Sequence, residues 1–441
     1  MLMANSRRVN FFFIIIYSIS LIISIFFLIK FLYSKNNFYI ILVLITLFIN
    51  LLIFLIHRSN FIVLKINFLI FLYLFVISIY LIEGFIGIKK YNFNKTLITS
   101  ILSENIQDYE IVPSINSKKE YKIHDTFLPL GLIPNYKTKL CNEEGYWAKY
   151  ISDNYGFRNE NKEIWSISRL DILFLGDSFS IGNCVNKKDE MSYLLGKKSK
   201  MNVINLGIQG TGPLRQYATF LEYGKEKKPN KIIWFFYEGN DLMDLATELK
   251  SPILLKYLKD HNYSQDLKNR EVEIINFYKK YSNSKKTNLK NTINIKIYFK
   301  KFLKLFEIRS IINSNYNIKL STKKNDKNNL KLYSKFSKDY KNILLNLKSV
   351  SQSWSGEIIF VYLPSLKLFN NTKYYQENNI IKTDIINFLK KENFKVIDVF
   401  KIFNTYEKPS NFFNQRKNLH YGKEAYSLIV DEINNNLKFD N

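Results

Sequence analysis

Cysteine, histidine, glycine and proline are all scarce in this 441-residue chain. Cysteine is limited to Cys141 and Cys184, too few for a disulfide framework. One bridge is the most they allow, and they fix neither compartment nor redox role. No zinc-ligand spacing is present. Only His57, His124, His261 and His420 are available for histidine-dependent chemistry. With 15 Gly and 8 Pro, turns are few and each is worth reading. Acidic residues are also short: 38 Asp and Glu against 64 Lys and Arg leave a net charge of +26 and a pI near 9.6. That excess does not identify a nucleic-acid partner. Lysine is spread along the chain, comes with much Asn, Ile, Phe and Tyr, and is accompanied by no aromatic-basic RNA motif. AT-rich coding produces this pattern without selection for a partner. Attraction to anionic lipid headgroups or to an acidic glycan stays open.

What the chain has in abundance is long apolar runs. Segments at about 11–33, 38–56 and 61–88 each approach or exceed the ~20 residues that span a bilayer as a helix. A cleaved signal peptide has one short run and does not fit. Residues 1–90 are therefore expected to be a region of three transmembrane helices, with the lipid bilayer as partner, in a multi-pass protein of a bacterial cytoplasmic membrane. Asn50 and Asn67 suit helix–helix hydrogen bonds, and Glu83 suits the membrane interface. Flanking cations nearly balance: Arg7, Arg8, Arg58 and Lys65 face Lys30, Lys35, Lys89, Lys90 and Lys95 across the spans. The count leans toward a cytoplasmic C-terminal part but leaves its side open.

Residues 91–150 are polar and read as a linker. The segment Asp153-Asn-Tyr-Gly-Phe-Arg-Asn159 reads as a structural loop packing Tyr155 and Phe157, or as a lip beside a substrate. Regular order begins at Asp171. Ile172 to Leu175 is a strand buried on both faces, and Gly176 turns the chain to present Asp177 and Ser178 at its carboxyl end. Helical spacing from Lys188 to Leu195 places Ser178, exposed, near a helix N-terminus. A second strand at 203–206 leads into a loop with Gly207, Gly210 and Gly212, and Pro213 opens a helix. A third strand from Lys231 ends in Glu238-Gly239-Asn240-Asp241. The Lys- and Asn-rich stretch at about 250–340 reads as a helical insertion. Then come a helix at 341–350, a strand at 357–364, a helix at about 375–391 and a strand at 394–398. Last, His420 stands before a helix with Ala425, Leu428, Ile429 and Ile433 on one face. Strands alternating with helices over 151–441 predict an α/β domain whose mainly five-stranded parallel sheet is covered on both faces.

Acyl transfer at a serine needs a nucleophile, a base and donors for an oxyanion. Ser178, His420, the Gly210 N–H and the Asn240 side chain can supply them, because parallel strands bring their carboxyl ends to one edge. In this order the blocks Gly176-Asp177-Ser178, Asn205-Leu-Gly-Ile-Gln-Gly210, Gly239-Asn240-Asp241 and Asn418-Leu-His420 resemble the SGNH (GDSL-type) hydrolase family over roughly 150–435. The resemblance implies a three-layer α/β/α, flavodoxin-like fold and no metal or organic cofactor. It also implies Ser178 as nucleophile, His420 as base, and Ser178 N–H, Gly210 N–H and Asn240 as oxyanion donors. The family's acid, two or three positions before the histidine, is replaced by Asn418 or Lys417. In a serine protease the comparable Asp to Asn change costs on the order of 10⁴ in turnover. Three arrangements follow: a Ser–His dyad oriented by another group, with Asn418 beside it; a slow enzyme; or a site kept for binding.

The resemblance points to a membrane-anchored ester hydrolase or O-acyltransferase acting on a small acyl ester, an acylated glycan or a lipid-linked substrate. The competing reading is an SGNH-like domain that binds glycan or a protein partner. A transporter would need more intramembrane charge than three such helices carry. Oligomeric state is not readable from the sequence.

Overall fold

The computed structural model describes residues 37–58, 62–102, 125–141, 146–159, 162–292, 295–413 and 420–438, with 112, 115 and parts of 11–29. They divide into two units, Met1–Asn92 with Ile295–Ile311, and Phe93–Asn294 with Ile312–Asn441.

In the first unit, near-continuous Ile, Leu and Phe produce helices without a polar face. They are α1 (Asn37–Arg58) and α2 (Ile62–Leu102). The 26 residues Val63–Ile88 of α2 are long and apolar enough to cross a membrane. Their large side chains, such as Phe71, Leu74, Phe75, Leu81 and Phe85, point outward. Among the described residues this is the one helix that passes the test, where three are expected. In α1 the apolar stretch Thr46–His57 is shorter than a span, and the 11–33 run falls partly outside the described residues. Instead of ending at 88, α2 continues to Leu102, running through Gly84 and Gly87.

Two polar side chains of this unit, Asn50 and Glu83, find internal partners. Asn50 Nδ2 donates to Ser24 Oγ at 2.9 Å, the helix–helix bond expected of it, whereas Asn67 is exposed. Glu83 is buried rather than interfacial. Its two carboxylate oxygens accept from Glu307 N at 2.8 Å and Ile308 N at 2.9 Å, capping free N–H groups at the start of the helix Phe306–Gln352.

The second unit opens with a two-stranded antiparallel ribbon, β1 (Lys137–Lys139) and β2 (Lys149–Ile151). Its main sheet is all parallel and comprises β3 (Ile172–Leu175), β4 (Val203–Asn205), β5 (Lys231–Tyr237), β6 (Glu357–Leu363) and β7 (Lys395–Asp398), in the order β4-β3-β5-β6-β7. Alternation within the apolar runs sends side chains to opposite faces. Leu173, Leu175, Ile232, Trp234, Phe236, Phe360 and Tyr362 enter one core, while Ile172, Phe174, Ile233, Phe235, Ile359 and Val361 enter the other.

Helices α3 (Met191–Ser199), α4 (Pro213–Thr219), α5 (Asp241–Glu248), α6 (Phe306–Gln352), α7 (Thr372–Lys391) and α8 (Lys423–Lys438) cover the sheet. Leu214, Leu245, Ile343 and Ile385 place α4 to α7 on the first face, and Leu195, Ile429 and Ile433 place α3 and α8 on the second. The unit is thus a three-layer α/β/α arrangement with five parallel strands. The stretch 250–340 is helical and also contributes to the core through Leu254, Tyr257, Ile274 and Tyr278, the last donating its hydroxyl to Gly131 O at 3.0 Å.

Candidate active site

The chain passes from β3 to β4 on one side and then to β5 on the other, so strand order reverses at β3. At such a reversal the loops after neighbouring strands part and leave a crevice at the carboxyl edge. Ser178 follows β3, Gly210 follows β4 and Asn240 follows β5, so one sheet edge carries all three.

After β3 the chain does not enter a helix directly. Ile181 N bonds to Asp177 O at 3.1 Å, Gly182 N to Phe179 O at 3.2 Å and Asn183 N to Ser178 O at 2.9 Å, making a compact coil. Gly182 (φ 72°) and Cys184 (φ 70°) then adopt left-handed backbone and end it. Helix α3 starts only at Met191, so Ser178 is not at its N-terminus, and Ser178 is buried at 8% exposure rather than presented to solvent.

His420 reaches this coil from the other end of the domain. Its neighbour Tyr421 is fully buried, donates its hydroxyl to Pro364 O at 2.6 Å and pairs by backbone with Phe413. That anchorage sets His420 Nε2 3.0 Å from Ser178 Oγ. Asn183 Nδ2 lies 3.5 Å from the same nitrogen, Cys184 Sγ lies 3.6 Å from Nδ1, and the Phe179 ring packs 5.1 Å from the imidazole. Cys184 is joined to Cys141 in a disulfide, tying the ribbon end to the coil. The two cysteines thus form the one bridge the sequence allows.

Asp177 supports the coil from within. Its Oδ1 accepts from Phe179 N at 2.9 Å, and its Oδ2 lies 3.4 Å from both Ser178 Oγ and Asn240 Nδ2. Burial raises its pKa, while the Phe179 N–H and the charge of His420 pull it back down. Asn240 Nδ2 also donates to Asp244 Oδ2 at 2.9 Å. Gly210 has φ 70°, which a glycine adopts without strain. Its loop is tied to the serine turn by Ile208 N and Thr211 Oγ1, both bonded to Gly176 O, at 3.3 and 3.4 Å. Ser178, His420 and Asn240 are therefore brought together around Asp177, with the Gly210 loop bound alongside. Asn418 lies outside the described residues, as does Lys417.

Three further residues hold the coil, and none of them is assigned a role at the site from the sequence. Arg158, 1% exposed, donates Nη1 to Ile181 O (3.1 Å) and Gly182 O (2.7 Å) and Nη2 to Val185 O (2.9 Å), gripping the coil's main chain. Asp153 holds the loop that carries it, accepting from Tyr155 N and Phe157 N at 2.9 Å and from Asn159 Nδ2 and Trp165 Nε1 at 2.8 Å. These bonds, with Phe157 fully buried, give 153–159 the character of a packed structural loop. Asn205 completes the frame, accepting from Gly207 N at 2.8 Å and donating to Ser180 O at 2.7 Å. Among the described residues no cluster of His, Cys, Asp and Glu is arranged to hold a metal ion.

No family model matches the chain, and no curated protein matches it. Among solved structures, it is similar to a lipolytic protein of the G-D-S-L family from Desulfitobacterium hafniense DCB-2, at 14% identity and a TM-score of 0.31, covering 60% of this chain and 99% of that one. It is also similar to the lipase/acylhydrolase from Enterococcus faecalis, at 13% identity and a TM-score of 0.32, covering 60% of this chain and 96% of that one.

Proposed function

We propose that the second unit is a serine ester hydrolase or O-acyltransferase of SGNH type, held at a membrane through the apolar helix of the first. One observation carries this reading: Ser178 Oγ and His420 Nε2 stand 3.0 Å apart at the carboxyl edge of a parallel sheet, although 242 residues separate them. A nucleophile and base within hydrogen-bond reach are the minimum for an acyl-enzyme. Ser178 Oγ attacks the acyl carbonyl as its proton passes to His420 Nε2. The oxyanion is met by the Ser178 and Gly210 N–H groups and by Asn240 Nδ2, which exchanges its long 3.4 Å contact with Asp177 for the new charge. His420 then gives its proton to the departing alcohol. Water, or a sugar hydroxyl in the transfer reaction, releases the acyl group by the reverse proton movement.

An acylated carbohydrate or lipid-linked ester is the substrate class we favour, because a tethered domain with net positive charge meets such substrates at a membrane surface. The test is fluorophosphonate labelling of the detergent-solubilised full chain, comparing wild type with Ser178→Ala and His420→Ala. Labelling of the wild type alone is expected. Equal labelling of Ser178→Ala, or none in folded wild type, would overturn the assignment.

A further inference from the structure

For His420 to take a proton at Nε2, that nitrogen must be bare, so the neutral ring must carry its hydrogen on Nδ1. Cys184 Sγ is 3.6 Å from Nδ1. As half of a disulfide this sulfur has no hydrogen and can only accept, which suits an Nδ1–H. As a free thiol it could donate to Nδ1 instead. The ring would then hold its hydrogen on Nε2, facing Ser178, and could not act as base.

We propose that the Cys141–Cys184 disulfide is a positioning group for His420, selecting the tautomer that leaves Nε2 free. The inference rests on the ester-chemistry reading above. Geometry supports it beyond the one distance. Cys184 is fully buried and follows Asn183, whose side chain touches His420 from the same coil. Its partner Cys141 adjoins the ribbon β1–β2, bonded by Leu140 N to Ala148 O at 2.8 Å and by Ala148 N to Cys141 O at 3.1 Å, so the bridge runs from an ordered element and not from a loose tail. Arg158 holds the carbonyls on both sides of the cysteine. The sulfur therefore has little freedom to leave Nδ1. Dithiothreitol reverses the device: the S–S bond breaks, two cysteine S–H bonds form, and the two thiols of the reagent close into its cyclic disulfide, moving two electrons and two protons.

Three full-length proteins in detergent distinguish this from a purely structural cross-link: wild type, Cys141→Ala, and Cys141→Ala with Cys184→Ala. Loss of the cross-link is the same in both variants. Only the single variant leaves a thiol beside Nδ1. Fluorophosphonate labelling of Ser178 is expected to slow at least tenfold in Cys141→Ala and clearly less in the double variant. Wild type treated with dithiothreitol should match Cys141→Ala and recover on reoxidation, which guards against a variant that fails to fold. Equal rates in the two variants, or no change on reduction, would overturn the tautomer role while leaving Ser178 chemistry intact. Absence of labelling in oxidised, folded wild type would instead refute the ester-chemistry reading and the inference with it.

Discussion

Arg158→Met replaces a guanidinium that holds the serine coil with an apolar side chain of similar length. Three charge-assisted bonds to main-chain carbonyls are lost, at 3.1, 2.7 and 2.9 Å. Bonds to charged groups contribute about 1.5–3 kcal/mol each, so the gross loss is roughly 4.5–9 kcal/mol. The packing of the guanidinium over the Tyr150 ring, 5.4 Å from its centre, adds ~1 kcal/mol. Against this, the variant no longer has to bury a charge, which recovers several kcal/mol. The difference predicts a net destabilisation on the order of 2–4 kcal/mol. The local effect should exceed the global one, because the released carbonyls flank Asn183 and Cys184, which touch His420 through polar atoms alongside Ser178. Tryptophan-monitored urea unfolding of the full chain in detergent gives the first quantity, and the rate of fluorophosphonate labelling gives the second, expected to fall about tenfold or more. Arg158→Lys should recover part of the stability but not the rate, since a single ammonium cannot span three carbonyls. A stability change under about 0.5 kcal/mol with labelling at the wild-type rate would show that the guanidinium does not hold the coil.

Two further outcomes follow from groups packed around the same turn. Burial pushes the Asp244 carboxyl up to about 8 and Glu248 up to about 7, each raised further by neighbouring carboxylates or held back by N–H donors. Both acids are then protonated in the folded chain where they are ionised in the unfolded one, so folding takes up protons and stability falls as pH rises from about 4 to about 8. Asp244→Asn keeps an acceptor for Asn240, and its melting temperature should gain on wild type across that window; parallel curves would refute the assignment. Gly207→Ala puts a Cβ 2.7 Å from Ile181 N and 2.8 Å from Ser180 Oγ, one of them backbone that cannot yield cheaply. A loss of about 1–3 kcal/mol is expected in the same urea assay, and an unchanged midpoint would show that the coil accommodates it.

The sheet was legible because buried parallel strands announce themselves as short apolar runs, and Ile172–Leu175 and Glu357–Leu363 are nearly nothing else. Ser178 and His420 could be paired on paper because their chemistry demands specific side chains. What escaped reading is carried by main chain. Arg158 binds carbonyls, which every residue has, and Glu83 caps N–H groups 224 and 225 positions away, so neither bond leaves a mark in the sequence. The expected helix start after Ser178 was displaced for a similar reason: left-handed backbone at Cys184, a residue type seldom found there, keeps the coil from running on into a helix. Of the apolar runs that suggest membrane spans, one described helix, Val63–Ile88, passes the spanning test.

The separation of 242 residues between Ser178 and His420 has a consequence for biogenesis. Ribosomes add about 5–20 residues each second, so the serine leaves the peptidyl-transferase centre roughly 12–50 s before its histidine is made. During that interval β3, β4 and β5 can assemble around Asp177, while His420, the base proposed for Ser178, has yet to be made. On the ester chemistry proposed above, the nascent chain therefore lacks its base until late in synthesis. The Ser178–His420 pair forms only with the segment that anchors Tyr421 under Pro364, and a chain cut short before that point lacks it.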